Sequence, residues 1–425
     1  MQTNRKKGSA EIISIGDELL IGQVINSNAS WMGEQLFLSG ISLDRVTTIG
    51  DDEQQLHSAI DSALERVQFI FLTGGLGPTL DDITKPSLCS FFNVPLVFHQ
   101  DAYDQVEALF ARRGMQVSER NKQQAMLPAN CTAVANNNGT APGMWFETGE
   151  AIIVSMPGVP FEMKPMFSEQ IIPLIKQKFT TSHYKFKTVM TTGVGESILA
   201  DRINQWEMAL PGNFKLAYLP QPGIVRLRVG GQSDDVESLI RILNEQVTSL
   251  CSLIPEYVYG FDNQSLEEVV AKKLIEKGLT IVTAESCTGG YISHLLTSIP
   301  GSSAYFKGSV VAYSNDIKTE LLNVRKETLE QKGAVSEEVA IEMAEGLLRR
   351  FDTDFAISTT GIAGPDGGTA EKPVGTVWIG IATKTSCYAQ RFQLGEQRDR
   401  NIRRSALAAL NMLRLCLLPA NDKTI

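Results

Sequence analysis

Short apolar runs that end in glycine-rich or polar turns alternate with segments of helical period along this chain, a pattern that restricts it to α/β architectures. In the first segment, strands are expected at Glu11 to Ile15, Ile41 to Ile49, Phe69 to Thr73 and Ala151 to Ser155. Helices fit Asn28 to Leu38, Glu53 to Arg66, Ala102 to Arg113 and Phe161 to Lys178, the order of a parallel sheet. Residues 181–259 read as strand (Lys185 to Thr191), helix (Ser197 to Met208), hairpin (Lys215 to Val229) and helix (Val236 to Leu250), a small α+β module. After the polar linker Gly260-Phe261-Asp262-Asn263-Gln264 the alternation resumes, up to an amphipathic helix near Ile402 to Leu418. A chain of 425 residues exceeds one ordinary core, so domains are expected at 1–180, 181–259 and 260–425.

Several classes of function are disfavoured at once. The apolar runs are strand-sized or amphipathic and the Met1 to Ser9 segment is basic without an apolar stretch, so neither a membrane span nor a secretory signal is expected, and the cytoplasm is the default compartment. Six cysteines (Cys89, Cys131, Cys251, Cys287, Cys387, Cys416) form no C-x-x-C pair and none has a histidine nearby in sequence, which argues against zinc and against a disulfide framework. The net charge of −9 disfavours non-specific nucleic-acid binding.

Chemistry concentrates at Thr283-Ala284-Glu285-Ser286-Cys287-Thr288-Gly289-Gly290, two candidate nucleophiles where a strand hands over to a helix. Upstream, Ser265-Leu266-Glu267-Glu268 is a capping box; Leu266, Val269, Val270, Leu274 and Ile275 share one helical face until Gly278, and a buried strand follows from Leu279 to Thr283. Beyond Ser286 the glycines open a helix running through Leu296, whose unpaired N–H groups are expected to face the Ser286 hydroxyl and stabilise an oxyanion. A serine needs a base. His294, the one histidine of this segment, lies two turns into the helix and is expected to face solvent or pack. Tyr313-Ser314-Asn315-Asp316-Ile317-Lys318 offers another: with Asn315 as N-cap, Lys318 falls in a first helical turn, where the dipole disfavours its charged form. A solvated Lys318, an N-capping Ser286 and a nucleophilic Cys287 stay open on spacing alone, as does Tyr313 as a Lys318 orienter, a ring contact or a packed strand end.

A second constellation follows Phe69 to Thr73: Thr73-Gly74-Gly75-Leu76-Gly77-Pro78-Thr79-Leu80-Asp81-Asp82-Ile83-Thr84. Gly74, Gly75, Gly77 and Thr79 stand where a phosphate can approach the backbone at a strand's end. Asp81 and Asp82 would repel that phosphate unless a divalent cation such as Mg²⁺ intervenes, and Asp17, Glu18, Asp51 and Asp52 come from neighbouring strand ends. The competing reading is a tight Gly-Pro turn with aspartates capping the next helix.

Gly16-Asp17-Glu18-Leu19-Leu20-Ile21-Gly22-Gln23 with Asn26 and Asn28, the Gly74 loop, Asn138-Gly139-Thr140-Ala141-Pro142-Gly143 and Pro157-Gly158-Val159-Pro160-Phe161-Glu162-Met163 together resemble the CinA (competence/damage-inducible protein A) family. The resemblance implies a MoaB/Mog-like molybdopterin-binding α/β fold for the first domain. It also implies a metal-dependent (Mg²⁺ or Co²⁺) ADP-ribose pyrophosphatase yielding AMP and ribose 5-phosphate. Asp82 and Asp51 match aspartates of relatives of that fold, with Asp81 and Glu18 as further metal candidates; a molybdopterin-handling role is the alternative. The middle segment resembles the family's KH-type module, although Gly193-Val194-Gly195-Glu196 departs from a G-x-x-G loop and ends in a carboxylate, so a spacer or dimer-forming role is expected over RNA binding.

Ala284-Glu285-Ser286-Cys287-Thr288-Gly289-Gly290, Tyr313-Ser314-Asn315 with Lys318, Gly333-Ala334-Val335-Ser336, Thr360-Gly361-Ile362-Ala363-Gly364-Pro365-Asp366-Gly367-Gly368 and Lys372-Pro373-Val374-Gly375-Thr376-Val377 resemble the family's C-terminal domain. That likeness implies a cofactor-free nicotinamide mononucleotide (NMN) deamidase with catalytic Ser286 and Lys318. Cys287, Thr288, Gly289, Gly290, Asn315, Gly361, Ala363 and Gly364 would line its substrate, with Arg398 or Arg403 adding charge unless simply solvated. A homodimer and a two-headed salvage enzyme for products of NAD consumption are the resulting expectation; a competence or DNA-damage partner protein is the non-enzymatic alternative.

Overall fold

Period-two alternation sorts the first sheet's side chains onto two faces. Ile12, Phe69, Phe71, Ile152 and Val154 pack with Met32 and Leu36 on one side; Ile13, Ile15, Ile70, Leu72 and Ile153 pack with Leu56, Ile60 and Leu88 on the other. Each such side chain contributes roughly 1.5–3 kcal/mol by burial, which fixes the register because a one-residue slip would exchange the faces. The computed structural model describes residues 6–79, 81–112, 114–149, 151–179 and 183–418. Residues 1–5 of the basic start, Leu80 of the glycine loop, Arg113 at an expected helix end and the expected junction at 180/181 lie outside the described residues.

The chain divides into two compact units, Met1–Lys185 with Gln232–Leu239, and Phe186–Gly231 with Ile240–Ile425. The first holds a six-stranded sheet in the order Ser42–Ile49, Lys6–Ile15, Val67–Thr73, Ala151–Met156, Gly143–Thr148, Thr132–Val134. The first four strands are parallel and the last two are antiparallel additions. The wholly parallel expectation is corrected there: Gly143–Thr148 returns directly on Ala151–Met156, and its apolar start, buried on both faces, carries no alternating signal. The helix expected over Phe161 to Lys178 is three pieces, Pro160–Pro165, a π-helical stretch Met166–Ile171, and Ile172–Lys178, with Pro165 ahead of the π turn.

A four-stranded sheet, in the order Phe214–Gln221, Ile224–Ser233, His183–Thr192, Val258–Phe261 and lying in the second unit except for the ends His183–Lys185 and Gln232–Ser233, is the KH-type module. A five-stranded sheet follows in the order Phe306–Val311, Ile281–Glu285, Phe355–Gly361, Thr376–Thr383, Cys387–Gln393. Ile281–Glu285 is parallel to both neighbours, and the last two strands are antiparallel. The capping box on Leu266–Lys277 is present in both halves. On its apolar face Leu266, Val270, Ala271 and Leu274 are buried, whereas Ile275 is half exposed. The terminal helix, Arg398–Cys416, buries Ala406, Leu410 and Leu413 in the same core, and its Arg414 donates to the Glu256 and Val258 carbonyls of the KH-type module. No helix among the described residues is long and apolar enough to cross a membrane.

Candidate active sites

Chain order crosses over at Ile281–Glu285: the next strand lies on one side of it and the one after on the other. Such switch points open a crevice at the strands' carboxyl ends. Ser286 sits there, its N–H donating to Thr359 O at 2.9 Å while Glu285 O accepts from Ala312 N at 2.8 Å, so both flanking strands grip the peptide before the hydroxyl. Lys318 comes from the helix Asn315–Leu322 and is only 1% exposed. Its Nζ donates to Ala312 O at 2.8 Å and lies 3.2 Å from Ser286 Oγ. Burial pushes the Lys318 amine below the ordinary lysine range, with the Cys287 thiol opposing that shift. A neutral amine so placed keeps an N–H on the Ala312 carbonyl and turns its lone pair to the serine hydroxyl, the geometry a serine–lysine acyl-transfer pair requires.

The helix-end expectation needs revision. In the helix Tyr291–Thr297, the N–H groups of Ile292 and Ser293, together with that of Gly290, donate to the buried Glu285 carboxylate, and Gly289 N donates to Ser286 O. Gly289 and Gly290 therefore offer no free donor; they supply the left-handed turn (φ 59° and 96°) that lets so short a loop close. Cys287 and Thr288 are the residues of this loop whose N–H groups have no acceptor among the described residues, which makes them the oxyanion candidates. The Thr288 hydroxyl is 2.7 Å from that of Thr359.

The Cys287 side chain is buried in the core, and burial pushes its thiol up to about 12, so no thiolate is available near neutrality. Cys287→Ala is expected to keep Ser286-dependent turnover within about threefold, and native Cys287 to resist alkylation; total loss in a folded Cys287→Ala protein would make it the nucleophile. His294 is exposed. Ser314, not Asn315, caps the Lys318 helix, accepting from Ile317 N; Asn315 is exposed at the first helical position. Tyr313 is 60% exposed and makes no hydrogen bond to Lys318 among the described residues: its hydroxyl accepts from Arg398 at 2.9 Å. Arg398 also donates to Gly364 O at 2.8 Å, tying that loop to Tyr313, whereas Arg403 is exposed with no bonded partner among the described residues. Gly361 ends a strand, in register with Val377. Ala363 and Gly364 have N–H groups without acceptors among the described residues, while the Ala363 carbonyl accepts from Asn401.

The first unit repeats the switch-point logic, because Lys6–Ile15 is flanked by the two strands that follow it. At the strand ends a cavity of about 580 Å³ gathers Gly16, Glu18, Asp51, the Gly74 loop, Thr140 and Gly158, thus all four sequence constellations of this segment. Gly74 (φ 116°) lies so close to Ile15 that a Cβ would overlap the Ile15 carbonyl oxygen. Gly74 N donates to Met156 O and Gly77 N to Asp82, leaving Gly75 and Leu76 with free N–H groups among the described residues. Asp82 accepts from Gly77 N (2.8 Å) and from both the N–H (2.9 Å) and hydroxyl of Thr79, so Asp82 and Thr79 are the loop's latch and Thr79 does not line the cavity.

Asp51 is raised above the usual carboxylate range, first by burial and then by repulsion from Asp17, Glu18 and Asp81, against a hydrogen bond from Asp17 N. Asp52 caps the helix Glu53–Arg66. No group of three His, Cys, Asp or Glu side chains among the described residues converges at metal-binding distance, so the expected Glu18, Asp81 and Asp82 set is not assembled. Asp51, repelled by Glu18 and Asp81, suits a hard cation held by one or two carboxylates, with water and a phosphate completing its shell. Such a cation would polarise a phosphoryl oxygen.

Gly193 of the KH-type module has φ 79°, and a Cβ there would meet Asn411 of the terminal helix at 2.9 Å, so this loop packs on its own unit.

The arrangement defines a three-part chain: a molybdopterin-binding-type α/β domain, a KH-type module, and an α/β domain carrying a buried serine–lysine pair. Residues 11–177 match the "Probable molybdopterin binding domain" family, 186–260 the "Damage-inducible protein CinA KH domain" and 263–417 the "CinA C-terminal domain". A CinA-like protein of Cytophaga hutchinsonii is 46% identical over 405 residues, covering 95% of this chain and 97% of that one. A second, from Flavobacterium psychrophilum, is 42% identical over 409 residues (95% and 97%). The crystal structure of competence/damage inducible protein CihA from Agrobacterium tumefaciens is 41% identical, covering 36% of this chain and 96% of that chain at a TM-score of 0.35. The chain belongs to the CinA family.

Proposed function

We propose that the C-terminal domain is a serine–lysine amidohydrolase that deamidates NMN to nicotinate mononucleotide and ammonia. The single observation that carries this reading is the buried, uncharged-prone Lys318 amine 3.2 Å from Ser286 Oγ. Ser286 Oγ bonds to the carboxamide carbon as its proton passes to Lys318; the C–N bond breaks and Lys318 returns the proton to the leaving nitrogen, releasing ammonia. Water then adds to the ester, giving a proton to Lys318 that ends on Ser286 Oγ as the C–Oγ bond breaks. The Cys287 and Thr288 N–H groups, which have no acceptor among the described residues, would hold the oxyanion in both halves.

This mechanism fixes a pH dependence. Only neutral Lys318 is a base, and its pKa is lowered from 10.5. Below that lowered pKa, kcat/KM should rise about tenfold per pH unit, reaching its plateau before pH 10.5. Between the lowered pKa and the unfolded value the unfolded chain holds more protons, so Lys318's contribution to stability rises with pH in the same window. A profile that is flat, or still climbing beyond pH 10.5, contradicts a lysine base.

For the N-terminal domain we propose metal-dependent hydrolysis of ADP-ribose to AMP and ribose 5-phosphate, supported by a cavity that joins free loop N–H groups to repelling carboxylates. Because the folded state raises the Asp51 pKa, its ionisation destabilises the fold as pH rises above the ordinary aspartate range, and a cation relieves this. At neutral pH, Mg²⁺ at 100 times its Kd should therefore stabilise this unit by about 2.7 kcal/mol, and Asp51→Asn should weaken that response. The match to a molybdopterin-binding family supports a second reading, a pterin phosphate in the same cavity. Absence of AMP release with Mg²⁺ or Co²⁺ would leave only that one.

A further inference from the structure

Glu285 ends the central strand of the C-terminal sheet with a side chain that is fully buried. Its carboxylate accepts five hydrogen bonds, all from amides or hydroxyls. Oε2 takes Gly290 N at 3.1 Å and Ile292 N at 3.0 Å; Oε1 takes Ser293 N at 2.8 Å, Ser293 Oγ at 2.5 Å and Thr283 Oγ1 at 3.3 Å. A carboxylate removed from water costs several kcal/mol unless its lone pairs are filled, so this one holds its donors tightly. Those donors begin the helix that follows Ser286, while the Glu285 backbone is gripped by Ala312. One residue thus anchors both ends of the Ser286–Gly290 loop.

We infer that Glu285 is a positioning residue for the Ser286 reaction: by fastening the helix start back onto the strand it holds Ser286 Oγ against Lys318 and leaves the Cys287 and Thr288 N–H groups free for the oxyanion. The carboxylate also fills the positive end of the following helix, so the anionic part of a substrate is turned away from that end. The inference rests on the amidase reading for its substrate but not for its geometry. It assigns Glu285 no contact with substrate and no proton to carry.

The test compares Glu285→Gln and Ser293→Ala with the unaltered full chain, each checked for an intact melting transition. Gln keeps the volume but turns an NH₂ toward backbone donors. It is expected to lower kcat for NMN about 10²-fold with KM within threefold and the pH midpoint set by Lys318 unmoved. Ser293→Ala removes one donor, keeps the carboxylate, and should lose about three- to tenfold in kcat. A fluorophosphonate probe reads the same positioning without NMN: the Oγ–P bond forms, P–F breaks, fluoride leaves and the hydroxyl proton passes to Lys318. Labelling of Ser286 should slow in parallel with kcat. If the unaltered chain is labelled at Ser286 but releases no ammonia from NMN, the substrate assignment fails and labelling rates alone judge Glu285. Wild-type kcat and labelling in folded Glu285→Gln, or a loss confined to KM, overturns the inference. Should Glu285→Gln not fold, wild-type labelling in Ser293→Ala overturns it, and no labelling of the unaltered chain overturns both readings.

Discussion

Lys318→Met is expected to slow ammonia release from NMN by about 10³–10⁴-fold while leaving the chain folded, because it deletes the buried amine that lies 3.2 Å from Ser286 Oγ. Methionine follows the lysine stem through the same space, so the core that surrounds it is little disturbed. The Ala312 carbonyl and Ser286 hydroxyl lose a partner, at roughly 1–3 kcal/mol. Lys318→Arg separates base from charge: a guanidinium keeps the cation but has no lone pair to offer at accessible pH, so it should be equally inactive. An active Lys318→Arg protein would mean that the lysine acts through its charge alone. The double change with Ser286→Ala should be no worse than either alone, since a nucleophile and its base act as one unit.

The second large effect belongs to Asp82. Asp82→Ala is expected to abolish metal-dependent ADP-ribose hydrolysis, by about 10²–10³-fold or more, through the loop rather than through a lost metal ligand. Its carboxylate holds Gly77 N and Thr79 in place, and the Gly75 and Leu76 N–H groups are presented by the same turn. Released, the turn no longer aims those donors at one point. The distinguishing measurement is Mg²⁺ titration of the melting temperature: loss of the latch should preserve much of the cation response, whereas Asp51→Asn should remove it. Amidase activity should be untouched by either change. If Asp82→Ala abolishes the Mg²⁺ response and Asp51→Asn spares it, the two residues' roles are exchanged.

Where the sequence carried a local signal, the structure follows it closely. The capping box at Ser265, the helix Glu53–Arg66 and the strands that end at Ile15 and Thr73 all have signals within a single element and recur with the expected C-terminal ends, although the strand ending at Ile15 begins at Lys6, well before the expected Glu11. The pairing of Ser286 with Lys318 was reachable because His294 stood two turns into its helix and a lysine stood at the next strand-to-helix junction; what burial does to that lysine was not. The fate of donor groups was the least legible. Gly289 and Gly290 read as free donors beside a serine, yet their N–H groups are taken by Ser286 O and by Glu285. A lone carboxylate ending an apolar strand was the available sign that amides must gather round it. Arg398 could be named as an added charge, but its two partners were hidden, since Tyr313 and Gly364 lie far away in sequence and meet it only through the sheet order. In the first unit, the antiparallel strand Gly143–Thr148 escaped because a start buried on both faces has no period to read, and its neighbour Thr132–Val134 is only 3 residues long.

The most direct test of the central claim is ammonia release from NMN by the full chain and by its Ser286→Ala variant, with a chelator present throughout. The Ser286–Lys318 assignment requires ammonia and nicotinate mononucleotide in equal amounts from the unaltered chain and none above background from Ser286→Ala. Full activity in Ser286→Ala, or no ammonia from the unaltered chain, contradicts it.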